Sequence, residues 1–172
     1  MKIIKPLALA ITTTSLLAAC SESTQQPSGP AADQAPALSF EEDLQTQLIQ
    51  AQPGDIIEIP AGVHEMTRSL SLSVPGVTIR GAGMAESILS FSNQIQGAEG
   101  LLVTADNFVI EDLAIEDTIG DALKVNESNN VTIRRVRTEW TNGPDSENGA
   151  YGIYPVQSSN VLIQEAVAIG AA

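Results

Sequence analysis

The stretch Asn130-Val-Thr-Ile-Arg-Arg-Val-Arg-Thr138 has two further copies in the chain. They begin at Asn107 and Asn160, and all three place small or apolar residues 1, 3, 6 and 8 positions after the Asn. A partial copy begins at Gly76, with Gly in place of the Asn. Self-similarity at a period of about 20 to 50 residues is typical of solenoids, in which successive copies stack. The repeat therefore decides the fold class.

The apolar spacing within one copy predicts two short strands joined by a bend. Side chains alternate between the faces of a strand, so positions 1 and 3 point the same way. Positions 6 and 8 agree with each other but are out of phase with the first pair, which places the bend of the second copy at Arg134-Arg135. A third strand precedes each Asn, as in Leu123-Lys-Val125. Three strands bent around an apolar interior form one coil of a parallel β-helix.

The Asn that begins each copy is predicted to occupy a tight turn, because Asn and Gly tolerate a left-handed backbone best. Stacked Asn side chains can also hydrogen bond along the axis. Outward positions 4 and 5 alternate in charge between copies, as pairing across neighbouring strands favours. These columns contain Arg80, Glu111, Arg134 and Gln164, and Asp112, Arg135 and Glu165. We therefore assign a structural role, and not a catalytic one, to the four conspicuous charges Glu111, Asp112, Arg134 and Arg135.

A capping helix is predicted ahead of the first coil. Ser39-Phe-Glu-Glu42 forms a capping box, and Phe40, Leu44 and Leu48 make one apolar stripe. A helix from about Phe40 to Gln50 would cover the open end of the first coil. No similar cap sequence follows the last copy, so we expect the chain to be a C-terminally truncated fragment of a longer solenoid.

The first residues have the order of a signal peptide, with a basic n-region at Lys2 and Lys5 and a short apolar stretch from Leu7 to Leu17. Leu17-Ala-Ala-Cys20 resembles a bacterial lipobox, which implies cleavage before Cys20 and lipid attached to its sulfur. Ser21 implies, by analogy with such lipoproteins, sorting to the outer membrane. The alternative is an ordinary signal peptide with an incidental Cys.

We therefore divide the chain into a lipoprotein signal peptide (1–19), a lipidated Cys and flexible tether (20–37) and one β-helix domain (38–172). Loss of Lys2 and Lys5 with the signal changes the formal net charge from −13 to −15. An acidic surface excludes nucleic acid and docking on anionic lipid as expected functions. We expect a monomer held at the membrane by its lipid anchor.

Four segments resemble right-handed parallel β-helix proteins of the pectate-lyase-like superfamily, and in particular a group of bacterial β-helix lipoproteins without an assigned reaction. The segments are PGDIIEIPAGVHEM from Pro53, SLSLSVPGVTIRGAG from Ser69, GDALKVNESNNVTIRRVRTEW from Gly120 and GAYGIYPVQSSNVLIQEAVAIG from Gly149. The resemblance implies the fold. It does not choose a function, because the superfold hosts lyases, epimerases, hydrolases, esterases and adhesive or scaffold domains.

The resemblance implies that a sugar would lie along the outer face of the strand before the Asn turn. The residues expected to point outward there are Leu101 and Val103, Lys124 and Asn126, and Tyr154 and Val156. Lys124 and Tyr154 would then stand one coil apart on one face. A Lys neutralises a uronate carboxylate, and a Tyr stacks on a sugar or acts as acid or base. An ordinary surface column is the alternative.

An insertion borders the same face. The copies are 23 residues apart from Asn107 to Asn130 but 30 apart from Asn130 to Asn160, and the extra residues fall within 140–149. Insertions in solenoids concentrate at functional surfaces. Asp145, Glu147 and Asn148 could offer oxygen ligands to Ca²⁺, although their spacing matches no Ca²⁺ loop and a solvated polar loop is the alternative. Trp140 and Tyr151 could form a sugar platform or pack over the coil edge.

The remaining candidates are a His and two carboxylates. His64 is the only His, which excludes a His-based triad, and we expect it to have a turn or packing role and not a catalytic one. Asp117 and Asp121 lie near the turn into the Lys124 strand, and paired carboxylates can hydrolyse glycosides. Asp121 borders the proposed face more closely than Asp117 does.

Two functions remain open. The first is an envelope solenoid that binds a polysaccharide or an envelope protein through the outer face of its coils. The second is a polysaccharide lyase or epimerase that acts on uronate polymers, for which Lys124 is the one basic residue on the candidate face.

Overall fold

The computed structural model describes residues 38–172, in which one helix is followed by twelve strands. The predicted signal peptide, Cys20 and the tether up to residue 37 lie outside the described residues. The helix is α1 (Phe40–Gln50). The strands are β1 (Ile56–Ile59), β2 (Gly62–Glu65), β3 (Arg68–Leu72), β4 (Thr78–Gly81), β5 (Ser87–Ser90), β6 (Gln96–Val103), β7 (Val109–Glu116), β8 (Leu123–Asn126), β9 (Asn129–Glu139), β10 (Ile153–Val156), β11 (Ser159–Gln164) and β12 (Val167–Ile169).

The strands form a parallel β-solenoid, so the predicted fold class is confirmed. Strands β3, β6, β8 and β10 form one four-stranded sheet, and the other eight form the second. Each strand pairs in parallel with its counterpart in the neighbouring coil, as β4 does with β7 and β7 with β9. The structure adds β2 and β5, which the repeat alone does not predict.

A left-handed residue bends the strand of each copy, as the change of phase predicts. The φ angle is 61° at Asp112, 50° at Arg135 and 53° at Glu165. One left-handed residue turns the following side chains over, so Ile110 before the bend and Leu113 after it are both fully buried. The bend therefore places both halves of β7 against one interior.

The Asn positions also adopt the predicted conformation, with φ of 55° at Asn107, 61° at Asn130 and 52° at Asn160. The side-chain amide of Asn130 donates to Oδ1 of Asn107 across 2.8 Å. The predicted ladder is wrong for Asn160, whose amide donates to Oδ1 of Asn129 at 2.7 Å. Oδ1 of Asn129 takes the place of Oδ1 of Asn130 as the acceptor for Asn160. It also accepts from the Ser159 hydroxyl at 2.9 Å.

The alternating charges pair between coils as predicted. Glu111 accepts from Nε of Arg80 at 2.7 Å and from Nε of Arg134 at 3.1 Å. Its carboxylate is buried, at 3 % exposure. Burial raises the pKa of Glu111, but the hydrogen bonds from Arg134 and Arg80 outweigh it and leave the pKa below its ordinary 4.5. These groups thus hold adjacent coils in register.

The helix caps the first coil and occupies the edge of its strands. Ser39 and Glu42 form the predicted capping box, and Leu44 and Leu48 are 2 % and 1 % exposed. The side-chain amide of Gln45 accepts from the Ser71 N–H at 3.0 Å and donates to the Ser71 carbonyl at 3.3 Å. Gln45 therefore supplies the hydrogen bonds that a further strand would make beside β3, which protects this edge from pairing with another chain.

The core consists of aligned aliphatic columns inside the coils. Leu70, Leu101 and Leu123 stack in register along the four-stranded sheet and are at most 1 % exposed. Truncating one such side chain to Ala typically lowers the free energy of unfolding by about 2 to 5 kcal/mol. Within residues 38–172 no helix has the length and apolar character required to cross a membrane.

Candidate functional site

Lys124 and Tyr154 lie directly opposite each other in β8 and β10, one coil apart, as the repeat predicts. Leu102 continues the outward column toward β6. The expectation that Leu101 and Val103 point outward is wrong, because both are buried at 1 % and 0 % exposure. The turn from β8 to Asn130 is one residue longer than the turn from β6 to Asn107. Leu101 therefore pairs with Leu123, 22 residues later, although Asn107 and Asn130 are 23 residues apart.

A second column runs beside the first one and adds Glu99, which the Asn-led repeat does not single out. Glu99, Asp121 and Tyr151 occupy equivalent positions, each three residues before the outward residue of its strand. The backbone confirms this alignment: the N–H of Gly100 donates to the Asp121 carbonyl at 2.9 Å, and that of Ala122 donates to the Tyr151 carbonyl at 3.0 Å. A spacing of three residues before Leu102, Lys124 and Tyr154 was the signal in the sequence that could have revealed Glu99.

These two columns form what we name the Lys124 cluster, defined as Glu99, Asp121, Lys124, Tyr151 and Tyr154. Nζ of Lys124 donates to Oε1 of Glu99 at 3.1 Å and lies 4.0 Å from Oδ2 of Asp121. It lies 6.0 Å from the centroid of the Tyr154 ring, the outer limit for a cation–π contact. The single cation of the cluster is thus enclosed by two carboxylates and an aromatic ring.

The electrostatics of the cluster follow from these contacts. The hydrogen bond to Glu99 raises the pKa of Lys124 above its ordinary 10.5, so the ammonium stays charged. Burial raises the pKa of Asp121 above 3.8, and the neighbouring charge of Glu99 acts in the same direction. Lys124 is therefore neutralised by groups of its own chain.

The aromatic surface of the cluster consists of two tyrosines. The rings of Tyr151 and Tyr154 stack with centroids 4.2 Å apart and planes inclined by 21°. Tyr151 is 49 % exposed, so part of its ring is open to solvent. Such rings combine an apolar face with a hydroxyl that stays hydrated, which suits a ligand with both apolar and polar faces.

Trp140 does not contribute to this surface. Its side chain is 4 % exposed within the apolar core, and its indole N–H donates to the Thr118 carbonyl at 2.7 Å. Of the two roles that the sequence leaves open for Trp140, the structure shows packing at the coil edge. Tyr151 stacks on Tyr154 and not on Trp140, whose 4 % exposure offers no open platform.

The inserted loop uses its polar side chains to hold its own shape. The Asn148 amide donates to the carbonyls of Gly143 and Gly170, at 2.9 and 2.6 Å. Oδ1 of Asp145 accepts from the backbone N–H of Glu147 at 2.9 Å. Among residues 38–172, no three or more His, Cys, Asp or Glu side chains lie close enough together to hold a metal ion. Asp145 and Asn148 thus contact backbone groups of the loop itself and of Gly170, which follows β12.

A cleft of about 250 Å³ lies between this loop and the two preceding corners of the solenoid. Its lining comprises Phe91, Ser92, Gln94, Asp117, Thr118, Ile119, Trp140, Asn142 and Asn148. Asp117, at its wall, already has a partner, because it accepts from the backbone N–H and the hydroxyl of Thr141, at 2.7 and 3.0 Å. Asp117 therefore stabilises a turn, whereas Asp121 faces Lys124.

His64 has a packing role, as expected, although it lies within β2 and not at a turn. Its Nε2 lies 2.9 Å from the Pro60 carbonyl oxygen, and its ring stacks on Phe40 with centroids 3.9 Å apart. The single His thus joins the first coil to the capping helix.

No protein-family model and no curated protein matches the chain. Among solved structures, it is similar to an alginate lyase from Paenibacillus sp. str. FPU-7, with a TM-score of 0.54 and 21 % identity over 75 % of this chain and 42 % of that one. It also resembles a pectin methylesterase solved with a hexasaccharide, with a TM-score of 0.47 and 12 % identity over 78 % of this chain and 47 % of that one. The chain thus matches less than half the length of either enzyme. The likeness to the alginate lyase shows a common fold, a parallel β-helix.

Proposed function

We propose that this chain is an envelope-anchored lipoprotein that binds a polysaccharide through the Lys124 cluster. The observation that carries the proposal is the stacked Tyr151–Tyr154 pair, in which Tyr151 is exposed and Tyr154 is half-buried, beside an ion-paired lysine. A sugar ring has apolar C–H faces and a rim of hydroxyls. Aromatic rings pack on such faces, and nearby carboxylates and ammonium groups hydrogen bond to the rim.

Binding is tested with two tyrosine variants of the full-length protein against a panel of soluble polysaccharides. Tyr154→Ala removes a ring and should weaken the affinity roughly tenfold, which corresponds to about 1.4 kcal/mol. Tyr154→Phe keeps the ring and should stay within roughly threefold of the wild type. Affinity electrophoresis and titration calorimetry measure both. Equal binding by Tyr154→Ala and the wild type would exclude this face, and no binding to any polysaccharide would defeat the proposal.

The anchor part of the proposal rests on Lys2, Lys5 and the Leu17–Cys20 lipobox. Two or three acyl chains on Cys20 would hold the protein stably at a membrane, where one chain would not. Metabolic labelling with radioactive palmitate should label the wild type and leave Cys20→Ser unlabelled. Fractionation of the outer and inner membranes tests the sorting implied by Ser21. Equal labelling of both proteins would refute lipidation at this position.

An envelope protein is the other partner compatible with an exposed face of the coils. Pull-down from envelope extracts with the wild type and with Tyr154→Ala distinguishes a protein partner from a polysaccharide. A protein retained by the wild type alone, in extracts stripped of polysaccharide, would replace the glycan as the proposed partner.

A uronate lyase or epimerase is the second candidate function, and the contact that favours it is Lys124 beside the Tyr154 ring. In that reaction the lysine would neutralise the uronate and the tyrosine would move a proton. Incubation of the full-length protein with alginate and pectate, with and without Ca²⁺, should produce ultraviolet-absorbing unsaturated ends if it is a lyase. Absence of product across the panel would exclude lyase activity on these polymers.

A further inference from the structure

The part of the chain that the structure describes offers no unpaired cation to an acidic ligand. Of the 8 basic and 21 acidic residues, Lys2, Lys5, Glu22 and Asp33 precede residue 38, so residues 38–172 carry a formal net charge of −13. Each of the basic side chains in this range lies within 4.0 Å of a carboxylate oxygen. The pairs are Arg68–Glu41, Arg80–Glu111, Lys124–Glu99, Arg134–Glu111, Arg135–Asp112 and Arg137–Glu116.

The pairing of a cation with carboxylates is clearest within the Lys124 cluster. Lys124 faces Glu99 at 3.1 Å and Asp121 at 4.0 Å, so its one positive charge meets two negative charges. The side chains of all three are at most 29 % exposed, which limits screening of their charges by water. A uronate carboxylate would have to displace Glu99 from Lys124 and then remain beside both acids.

We infer that the Lys124 cluster selects an uncharged polysaccharide and excludes uronate polymers. This inference rests on the proposed function and names its ligand class. The hydroxyls of a neutral sugar donate to the carboxylates of Glu99 and Asp121 and accept from Lys124, so the three charges act together as hydrogen-bonding partners. The exposed Tyr151 ring and Tyr154 supply the apolar contact. Carboxylates at this face repel a polyanion, and the acidic charge of the whole domain adds to that repulsion.

The test compares the full-length chain, in mild detergent, on neutral polysaccharides (glucans, galactans, mannans and xylans) and on alginate and pectate. Binding is measured at low and high NaCl and with or without Ca²⁺. We expect a neutral polymer to bind with an affinity that changes less than about threefold with salt, because no net charge is neutralised. Alginate and pectate should bind at least tenfold more weakly than that polymer at low salt.

Charge removal tests the cause. Glu99→Gln frees Lys124 from its partner and removes one negative charge, so binding of alginate or pectate should rise roughly fivefold at low salt. Glu58→Gln is the matched control, because it makes the same charge change at an exposed residue of β1 in the other sheet. It should leave binding of acidic polymers within about twofold, which separates the local charge from the net charge.

Tighter binding of alginate or pectate than of every neutral polymer, with or without Ca²⁺, would overturn the inference while leaving polysaccharide binding intact. An equal gain from Glu99→Gln and Glu58→Gln would overturn the assignment of selectivity to the cluster. Failure to bind any polysaccharide would remove the proposed function, and the inference with it.

Discussion

Arg135 and Asp112 lie one coil apart and are joined by two hydrogen bonds, from Nε to Oδ1 at 2.6 Å and from Nη2 to Oδ2 at 2.7 Å. Both residues have a left-handed backbone, with φ of 50° and 61°. The pair therefore lies on the bend that makes two strand segments face the same core. The two-pronged ion pair offsets part of the cost of holding non-glycine residues in this conformation.

The backbone cost at the bend can be measured with paired substitutions. Arg135→Ala and Arg135→Gly both remove the ion pair, but only Gly adopts φ of 50° without strain. We expect Arg135→Ala to have a free energy of unfolding about 1 kcal/mol lower than Arg135→Gly, measured by urea denaturation. The same two substitutions at Thr132, in a regular part of β9, should show the opposite order. A more stable Ala variant at both sites would contradict a strained bend.

The ion pair should also make stability depend on pH. The hydrogen bond from Arg135 holds the pKa of Asp112 below its ordinary 3.8. A carboxylate with a lowered folded pKa stabilises the fold fully above its unfolded pKa and loses that contribution as the pH falls through the folded value. The stability gap between the wild type and Asp112→Asn should thus be constant near neutral pH and close below pH 3.8.

Urea denaturation of the wild type and Asp112→Asn across this pH range tests whether the stability gap narrows on acidification. In an Arg135→Met background the gap should be smaller and should depend less on pH, since the residue that lowers the pKa of Asp112 most is absent. A gap that widens on acidification would show that another interaction controls it.

Glu41 should be the main polar link between the capping helix and the first coil. Its carboxylate, buried at 8 % exposure, accepts from the backbone N–H groups of Thr67 and Arg68 at 3.0 and 2.8 Å. Glu41→Ala leaves both donors without that acceptor and should cost about 1 to 3 kcal/mol in urea denaturation. Hydrogen exchange at Thr67 and Arg68 should accelerate selectively. Gln50→Ala, at an exposed position of the same helix, should change stability by less than about 0.5 kcal/mol.

The buried position of Trp140 predicts the behaviour of its fluorescence, which is unambiguous because the chain has one Trp. Emission should be blue-shifted relative to Trp in water and protected from acrylamide, because the side chain is 4 % exposed. Saturation with a bound polysaccharide should leave acrylamide quenching unchanged. Strong quenching of the free protein, or protection only when ligand is added, would place Trp140 at the binding surface instead.

Local features were predictable wherever a few neighbouring residues decide the conformation. The helix from Phe40 to Gln50 follows from its capping box and apolar stripe. The turns at Asn107 and Asn130 follow from the left-handed preference of Asn, and the bend at Arg135 from a change of phase within nine residues. Each of these depends on backbone sterics and on the alternation of side chains along one strand.

The candidate site was predictable only in part, because turn lengths shift the register between coils. Alignment on the Asn residues placed Lys124 and Tyr154 opposite each other. It put Leu101 in the outward column where Leu102 belongs, and it did not reveal Glu99. The role of Trp140 was also open, since an indole at a coil edge either packs inward or faces outward, and the Thr118 carbonyl provides the inward partner.

The sequence by itself determined that the chain coils, where each coil bends and which charges stack between coils, because a repeat carries its geometry in each copy. Only the tertiary structure decided which residues meet across coils at the Lys124 cluster. The length of each turn sets that register, and it brought Glu99 to within 3.1 Å of Lys124 from 25 residues away. That contact makes the one basic residue of the candidate face part of an ion pair. It thereby changes the class of ligand that the face is expected to accept.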